Sequence, residues 1–408
     1  MNILNKRMAV VLIILLFLGS SVVPIMMGTS ETQTSSDDDL FFDLFINRIM
    51  KTNRMPSLSA CIIKNNSVVW AKSYGLADVE NNKPATVDTI YMIGSTAKTI
   101  TATALMQLYE QGKFDLDDDV NDYLDFGVKN PNHLYDPITF RMLLAHQSSL
   151  RDRPYLTIKK YPGDPDILRD LYTWLKEIVV PGGANYTDSV WSLDAPSEKF
   201  YYSNIGYAII GYLVEIISGE RFDDYCKTHI FEPLGMYNTS FRLSDLDIDK
   251  IAVPYALSSK IVRLGKLVPF EHYGTAGYPC GGSARSSVMD LSPFIIAHMN
   301  GGEYNGVRIL NEETVELMHT VQYPDSRFTN DFKFYQYGLG WEISKNICGE
   351  EIIGHTGHTT TSSSRIRIRT SDDVSIIYFI NRCVNKRIRG AMAEHMIEYA
   401  LFKKADKL

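Results

Sequence analysis

The chain has no run of basic residues, no C-x-x-C pair, no zinc-like Cys/His spacing and no internal repeat. Each absence closes a class. Lysine and arginine total 41 against 48 aspartates and glutamates, a net charge of −7, so the surface suits no polyanion and a nucleic-acid partner is excluded. The 5 cysteines (Cys61, Cys226, Cys280, Cys348, Cys383) are scattered and odd in number, so at least one thiol is unpaired within a monomer. They read as small buried hydrophobes, not as a disulfide framework. What is present is ordinary globular material: 408 residues, 45% hydrophobic and 22% charged, enough for one large or two intertwined domains.

One long apolar run stands at the start. Lys6 and Arg7 precede apolar residues 8–18, and Gly19, Ser20 and Ser21 follow, the order of a signal peptide. Residues 22–27 prolong the stretch to about 20 residues, enough to cross a bilayer as an uncleaved anchor. Under either alternative residues 1–27 are a targeting segment and the remainder is extracytoplasmic, secreted or held at the membrane by that segment alone. Residues 28–39 are polar and acidic and read as a flexible linker.

Further along, residues 40–50 have an amphipathic helical pattern. Residues 57–64 and 67–74 are β-rich runs split by Asn65-Asn66, a hairpin signal. Residues 95–111 read as a buried helix ending at Gly112. From 113 to 260 helical stretches (140–145, 167–178, 206–217) alternate with loops rich in proline and glycine. Strands return at 337–343, 365–369 and 374–380, and 387–403 reads as a terminal helix. The strict Arg/Ile alternation of 365–369 suits a strand with one wet face. The order predicts an antiparallel sheet assembled from both ends of the chain (about 40–112 and 261–405), flanked by terminal helices, with a mostly helical insert over about 113–260. Together they make one catalytic domain, 40–405.

Three short motifs carry chemistry. In Ser95-Thr96-Ala97-Lys98 a helix puts Ser95 and Lys98 on one face, about 5–6 Å apart at Cβ, so an amine reaches a hydroxyl that is a poor nucleophile without a base. The helix N-terminus adds N–H groups that favour an oxyanion. Alone, this spacing is expected about once by chance in a chain of this length. Tyr202-Ser203-Asn204 precedes a helix and offers a phenol to shuttle protons and an amide to hold a carbonyl. Gly354-His355-Thr356-Gly357 enters a strand where glycine lets a substrate backbone lie along the sheet.

In this order the trio resembles the S-x-x-K, Y-x-N and K/H-T-G set of the penicillin-binding proteins and serine β-lactamases. The pattern is most similar to the class C β-lactamase and D-alanyl-D-alanine carboxypeptidase branch. The segments Val69–Gly75, Leu143–Leu150 (LLAHQSSL), Pro233–Met236 and Tyr337–Trp341 look like further stretches of that family. The resemblance implies an α/β (α+β) β-lactamase/transpeptidase-like fold and a serine hydrolase needing no cofactor or metal. It also implies roles: Ser95 acylated, Lys98 and Tyr202 as catalytic acid–base groups, and Asn204, His355, Thr356 and Gly357 binding substrate. The backbone N–H groups of Ser95 and His358 would form the oxyanion hole. Whether Lys98 or Tyr202 is the base stays open at this point. Substrates would be small molecules or peptides, cut as D-amino-acid peptides, other amides or esters; weak β-lactamase activity or a penicillin-binding sensor without turnover are the alternatives.

Three departures from the pattern matter. His355 stands where many relatives carry lysine; at an ordinary pKa of about 6.5 its hold on a substrate carboxylate would fade as pH rises. His358 follows Gly357 where small residues are commoner, and with His355 makes an H-x-x-H that lacks a third ligand. Ser149 replaces a glycine in the L-L-x-H segment, within which His146 reads as structural. The acidic patch Asp115, Asp117, Asp118 and Asp119 reads as a solvated turn.

Overall fold

Asn65 and Asn66 both adopt left-handed backbone angles, φ 51° and 55°, the geometry that joins two strands without splaying them. They close the first hairpin of the sheet. The computed structural model describes residues 34–152, 170–259, 262, 265–273, 279–324, 327–328, 335–384 and 388–408. In chain order the elements that position the site are α1 (Thr34–Asn53), β1 (Ser57–Lys64), β2 (Ser67–Asp78), β3 (Lys83–Pro84), α2 (Ala97–Glu110), α3 (Leu171–Val179) and α4 (Asn204–Ser218). They continue with α5 (Val288–Met299), β4 (Tyr335–Tyr337), β5 (Glu342–Lys345), β6 (Glu351–His358), β7 (Ser363–Arg369), β8 (Val374–Ile380) and α6 (Ile388–Ala405).

The eight strands form one sheet in the order β4-β5-β6-β7-β8-β1-β2-β3, every neighbouring pair antiparallel. Strands from both ends of the chain therefore meet at β8–β1, as the sequence pattern predicts. One face carries Ala60, Ile62, Tyr378 and Ile380 against Ile46 and Met50 of α1 and Ile397 and Leu401 of α6. The other carries Cys61, Ile63, Ile366 and Phe379 into the larger core around α2, α4 and α5. Burial of both faces suits the largely apolar make-up of β1 and β8.

Three expectations change. Residues 34–39 belong to α1, not to a flexible linker: Asp38 and Asp39 at its start accept hydrogen bonds from Lys407 and Lys404 at 2.6 and 2.5 Å, tying the start of α1 to the end of α6 and the residues after it. Residues 1–33, with the targeting segment and the rest of the linker, lie outside the described residues. The 365–369 strand has no wet face, because α6 covers its arginines with glutamates: Arg365 meets Glu398 at 2.6 Å and Glu394 at 3.1 Å. Finally, 337–343 is not one strand. Gly340, at φ 88°, turns the chain between β4 and β5, and a Cβ there would lie 2.3 Å from that of Ala102 on α2. The acidic patch is a turn: Asp117 pairs with Arg141, Asp118 accepts from Tyr123 and Asp119 from the N–H of Asn121. Among the described residues no helix is long and apolar enough to cross a membrane.

Candidate active site

Ser95 occupies a single 3-10 turn, Gly94–Thr96, that hands over directly to α2 at Ala97. Helical spacing then delivers Lys98, fully buried, with its Nζ 3.2 Å from Ser95 Oγ. The same Nζ donates to Asn204 Oδ1 at 2.6 Å and lies 5.0 and 5.4 Å from the ring centroids of Tyr202 and Tyr207. The first two motifs thus converge on one ammonium group.

Burial pushes the Lys98 pKa down to about 7, against the pull of Asp152 and more distant Glu342. A lysine in that range holds a sizeable neutral fraction at neutral pH, which an exposed lysine does not. Asp152 escaped the sequence reading. It caps α4, accepting from the N–H groups of Asn204 and Ile205 at 2.8 and 3.3 Å and from Asn204 Nδ2 at 2.6 Å. Burial raises its pKa, while those N–H groups and Lys98 hold the charged form. Asn204 is therefore clamped between Asp152 and Lys98, and a second proton on Nδ2 is what a substrate carbonyl would take. Nothing in the sequence marked Asp152, since its significance arises only when its loop meets the α4 N-terminus.

His146 is scaffold. It is fully buried with φ 59°, and its Nδ1 accepts the N–H of Ser203 at 3.1 Å, which places the proton on Nε2. Its ring centroid lies 4.3 Å from that of Tyr202, the planes tilted by 37°, so it holds the second motif from behind. Ser149 has φ 60°, the left-handed conformation that glycine takes most easily, and is fixed by a hydrogen bond from Asn130 Nδ2 at 3.0 Å.

The third motif approaches from β6. A Cβ on Gly357 would lie 2.1 Å from both Ile93 O and Ser364 Oγ and 3.1 Å from Ser95 N. One on Gly94 would come within 3.0 Å of His358 N. Two glycines thus let the Ser95 turn and the His358 end of β6 pack closely, backbone against backbone. The His358 side chain turns away, its Nε2 lying 3.1 and 3.2 Å from the Glu394 carboxylate oxygens on α6.

His355 differs from expectation. It is fully buried; its Nδ1–H donates to Thr356 O at 2.7 Å and its Nε2 accepts from the Tyr337 hydroxyl at 2.5 Å. Burial, with smaller help from Lys98 and Arg367, lowers its pKa to about 4 despite Glu342. It is neutral across pH 5.5–8, so the expected fading of carboxylate recognition through its titration does not arise there. His355 and His358 point to opposite faces of β6. Among the described residues no group of three or more His, Cys, Asp or Glu could hold a metal ion.

A terminally flanked antiparallel sheet, with a Ser-x-x-Lys turn packed against its β6 strand, defines a serine hydrolase of the β-lactamase-related class. The chain belongs to the beta-lactamase family, whose model matches residues 42–401. A putative D-alanyl-D-alanine carboxypeptidase of Escherichia coli (strain K12) is 27% identical over 345 residues, covering 75% of this chain and 74% of that protein. Among solved structures, the octameric penicillin-binding protein homologue from Pyrococcus abyssi is similar with a TM-score of 0.70 and 27% identity, over 90% of this chain and 78% of the other. D-amino acid amidase from Ochrobactrum anthropi SV3 has a TM-score of 0.70 at 20% identity, over 90% of this chain and 99% of its own, a likeness of fold.

Proposed function

We propose that this is an exported hydrolase that cuts amide, peptide or ester bonds through an acyl-enzyme on Ser95. The observation that carries this reading is the Lys98 ammonium: buried, lowered to about 7, and bonded to Ser95 Oγ. Neutral Lys98 takes the hydroxyl proton as Oγ attacks the substrate carbonyl. The oxyanion forms between the N–H groups of Ser95 and His358, and Asn204 steadies the acyl side. Collapse expels an amine or alcohol that regains a proton through Lys98 and Tyr202, and water then releases the acid. We favour Lys98 over Tyr202 as the base because its nitrogen already meets Oγ. Export rests on Lys6, Arg7 and the apolar residues 8–27. The E. coli likeness favours peptides of D-residues as the first substrates to try.

The test is to incubate the protein with a short-chain nitrophenyl ester and with a fluorescent penicillin, mapping any adduct by mass spectrometry. A Ser95-borne acyl group with turnover is expected, and both should vanish in Ser95→Ala. Turnover that survives Ser95→Ala sinks the reading. A lasting penicillin label with no turnover of any substrate would make the protein a sensor instead.

A further inference from the structure

Glu342 stands on β5 opposite Gly354 of β6 and is only 3% exposed. Its Oε1 accepts the Thr356 hydroxyl proton at 2.7 Å and lies 3.8 Å from His355 Nδ1, and its Oε2 accepts from an Arg367 nitrogen at 3.2 Å. With its other oxygen on an Arg367 nitrogen, the Glu342 carboxylate accepts from the Thr356 hydroxyl, so the Thr356 proton points at Glu342. What the Thr356 oxygen then offers a bound molecule is lone pairs. His355 is engaged in the same way, its N–H on Thr356 O and its other nitrogen on Tyr337. Neither polar side chain of the third motif presents a donor or a positive charge to a substrate.

The surroundings do not reverse this. Behind Glu342 the groups on β7 and α6 are Arg365 and Arg367, facing Glu394 and Glu398, with His358 beside Glu394. Arg367 Nε also approaches Glu398 at 3.6 Å, so its charge is divided between two carboxylates. Three carboxylates thus share two guanidiniums and the His358 imidazole. A substrate carboxylate placed along β6 next to Thr356 would therefore meet an acceptor, its hydroxyl proton already committed to Glu342, whereas an amide N–H or an ammonium would meet a partner.

We infer that Glu342 is a specificity-determining residue that makes the β6 side of this site reject a carboxylate and take amides, esters or N–H-bearing groups. The inference rests on the Ser95 reading above and narrows it, away from release of a residue with a free C-terminal carboxylate.

The test compares N-acetyl-D-alanyl-D-alanine with its C-terminal carboxamide, each as a substrate and as a competitor of nitrophenyl ester hydrolysis, so that a compound bound but not cut still reports. The wild-type protein is expected to favour the carboxamide at least tenfold in kcat/KM or inhibition constant. Glu342→Gln should shift that ratio at least fivefold toward the carboxylate, and Glu342→Asp, which keeps the charge, should restore most of the preference. Equal treatment of the two compounds by the wild-type protein overturns the inference even if the glutamine variant fails to fold. A wild-type preference that glutamine leaves intact in a folded protein overturns the assignment to Glu342. Hydrolysis that survives Ser95→Ala would instead overturn the parent reading.

Discussion

Lys98→Met is expected to lower kcat/KM by about a thousandfold or more, nearly as far as Ser95→Ala, with the double variant scarcely worse than either. Two groups that act as one unit cannot be removed twice. Lys98 meets Ser95 Oγ at 3.2 Å, so methionine, with a similar stem and no amine, deletes the base while keeping the packing. It also removes a partner of Asn204 Oδ1 at 2.6 Å, which weakens the hold on the acyl group. The sign of the pH profile follows from the same residue. With a Lys98 pKa near 7, the protonated form dominates below it and cannot accept the serine proton, so kcat/KM should fall about tenfold per pH unit there and level off above. His355, at about 4, contributes no limb between pH 5.5 and 8. Rates of ester hydrolysis over that range check both statements. Activity that falls with rising pH, or Lys98→Met that keeps a tenth of wild-type kcat/KM, would move the base to Tyr202.

The elements that position Ser95 were legible because each has a strong local signal. Alternating apolar runs around Asn65-Asn66 mark the hairpin, and Ser95, Lys98, Tyr202, Asn204 and Gly357 fall in short motifs whose order carries information. Long-range partners left no such trace. Asp152 matters only because its loop reaches the α4 N-terminus, and Glu342 and Glu394 because a neighbouring strand and the last helix carry them to β6. The Arg365-Ile366-Arg367-Ile368-Arg369 run shows the limit most clearly. Period-2 alternation of charge reports which side chains share a face, not whether that face is wet. Here the charged face is covered by α6, and counter-charges more than twenty residues away stand where water was expected. His355 failed for a related reason, since its pKa is set by burial that a motif does not display.

That covered face yields the second large effect. Glu394→Gln is expected to cost roughly 3–5 kcal/mol of stability, read as a lower urea midpoint with unchanged slope. Glu394 is fully buried and holds both His358 Nε2, at 3.1 Å, and an Arg365 nitrogen, at 3.1 Å. Neutralising it strands a buried guanidinium that then shares Glu398 with Arg367. Burial alone would raise the Glu394 pKa, but the charges of His358 and Arg365 outweigh it and bring it down to about 2, against an ordinary 4.5. A depressed carboxylate stabilises the fold above its unfolded pKa and loses that contribution as pH falls through the folded one. The gap between wild type and Glu394→Gln should therefore be full above about pH 4.5 and close progressively toward pH 2. A gap that widens on acidification would contradict the ion-pair account. Function should suffer before global unfolding. Glu394 anchors the side chain of His358, whose backbone nitrogen lies against the Gly94–Ser95 turn and is the proposed oxyanion donor, so a loosened β6 end should lower kcat for ester hydrolysis more than it raises KM, because such a donor is felt mainly in the transition state.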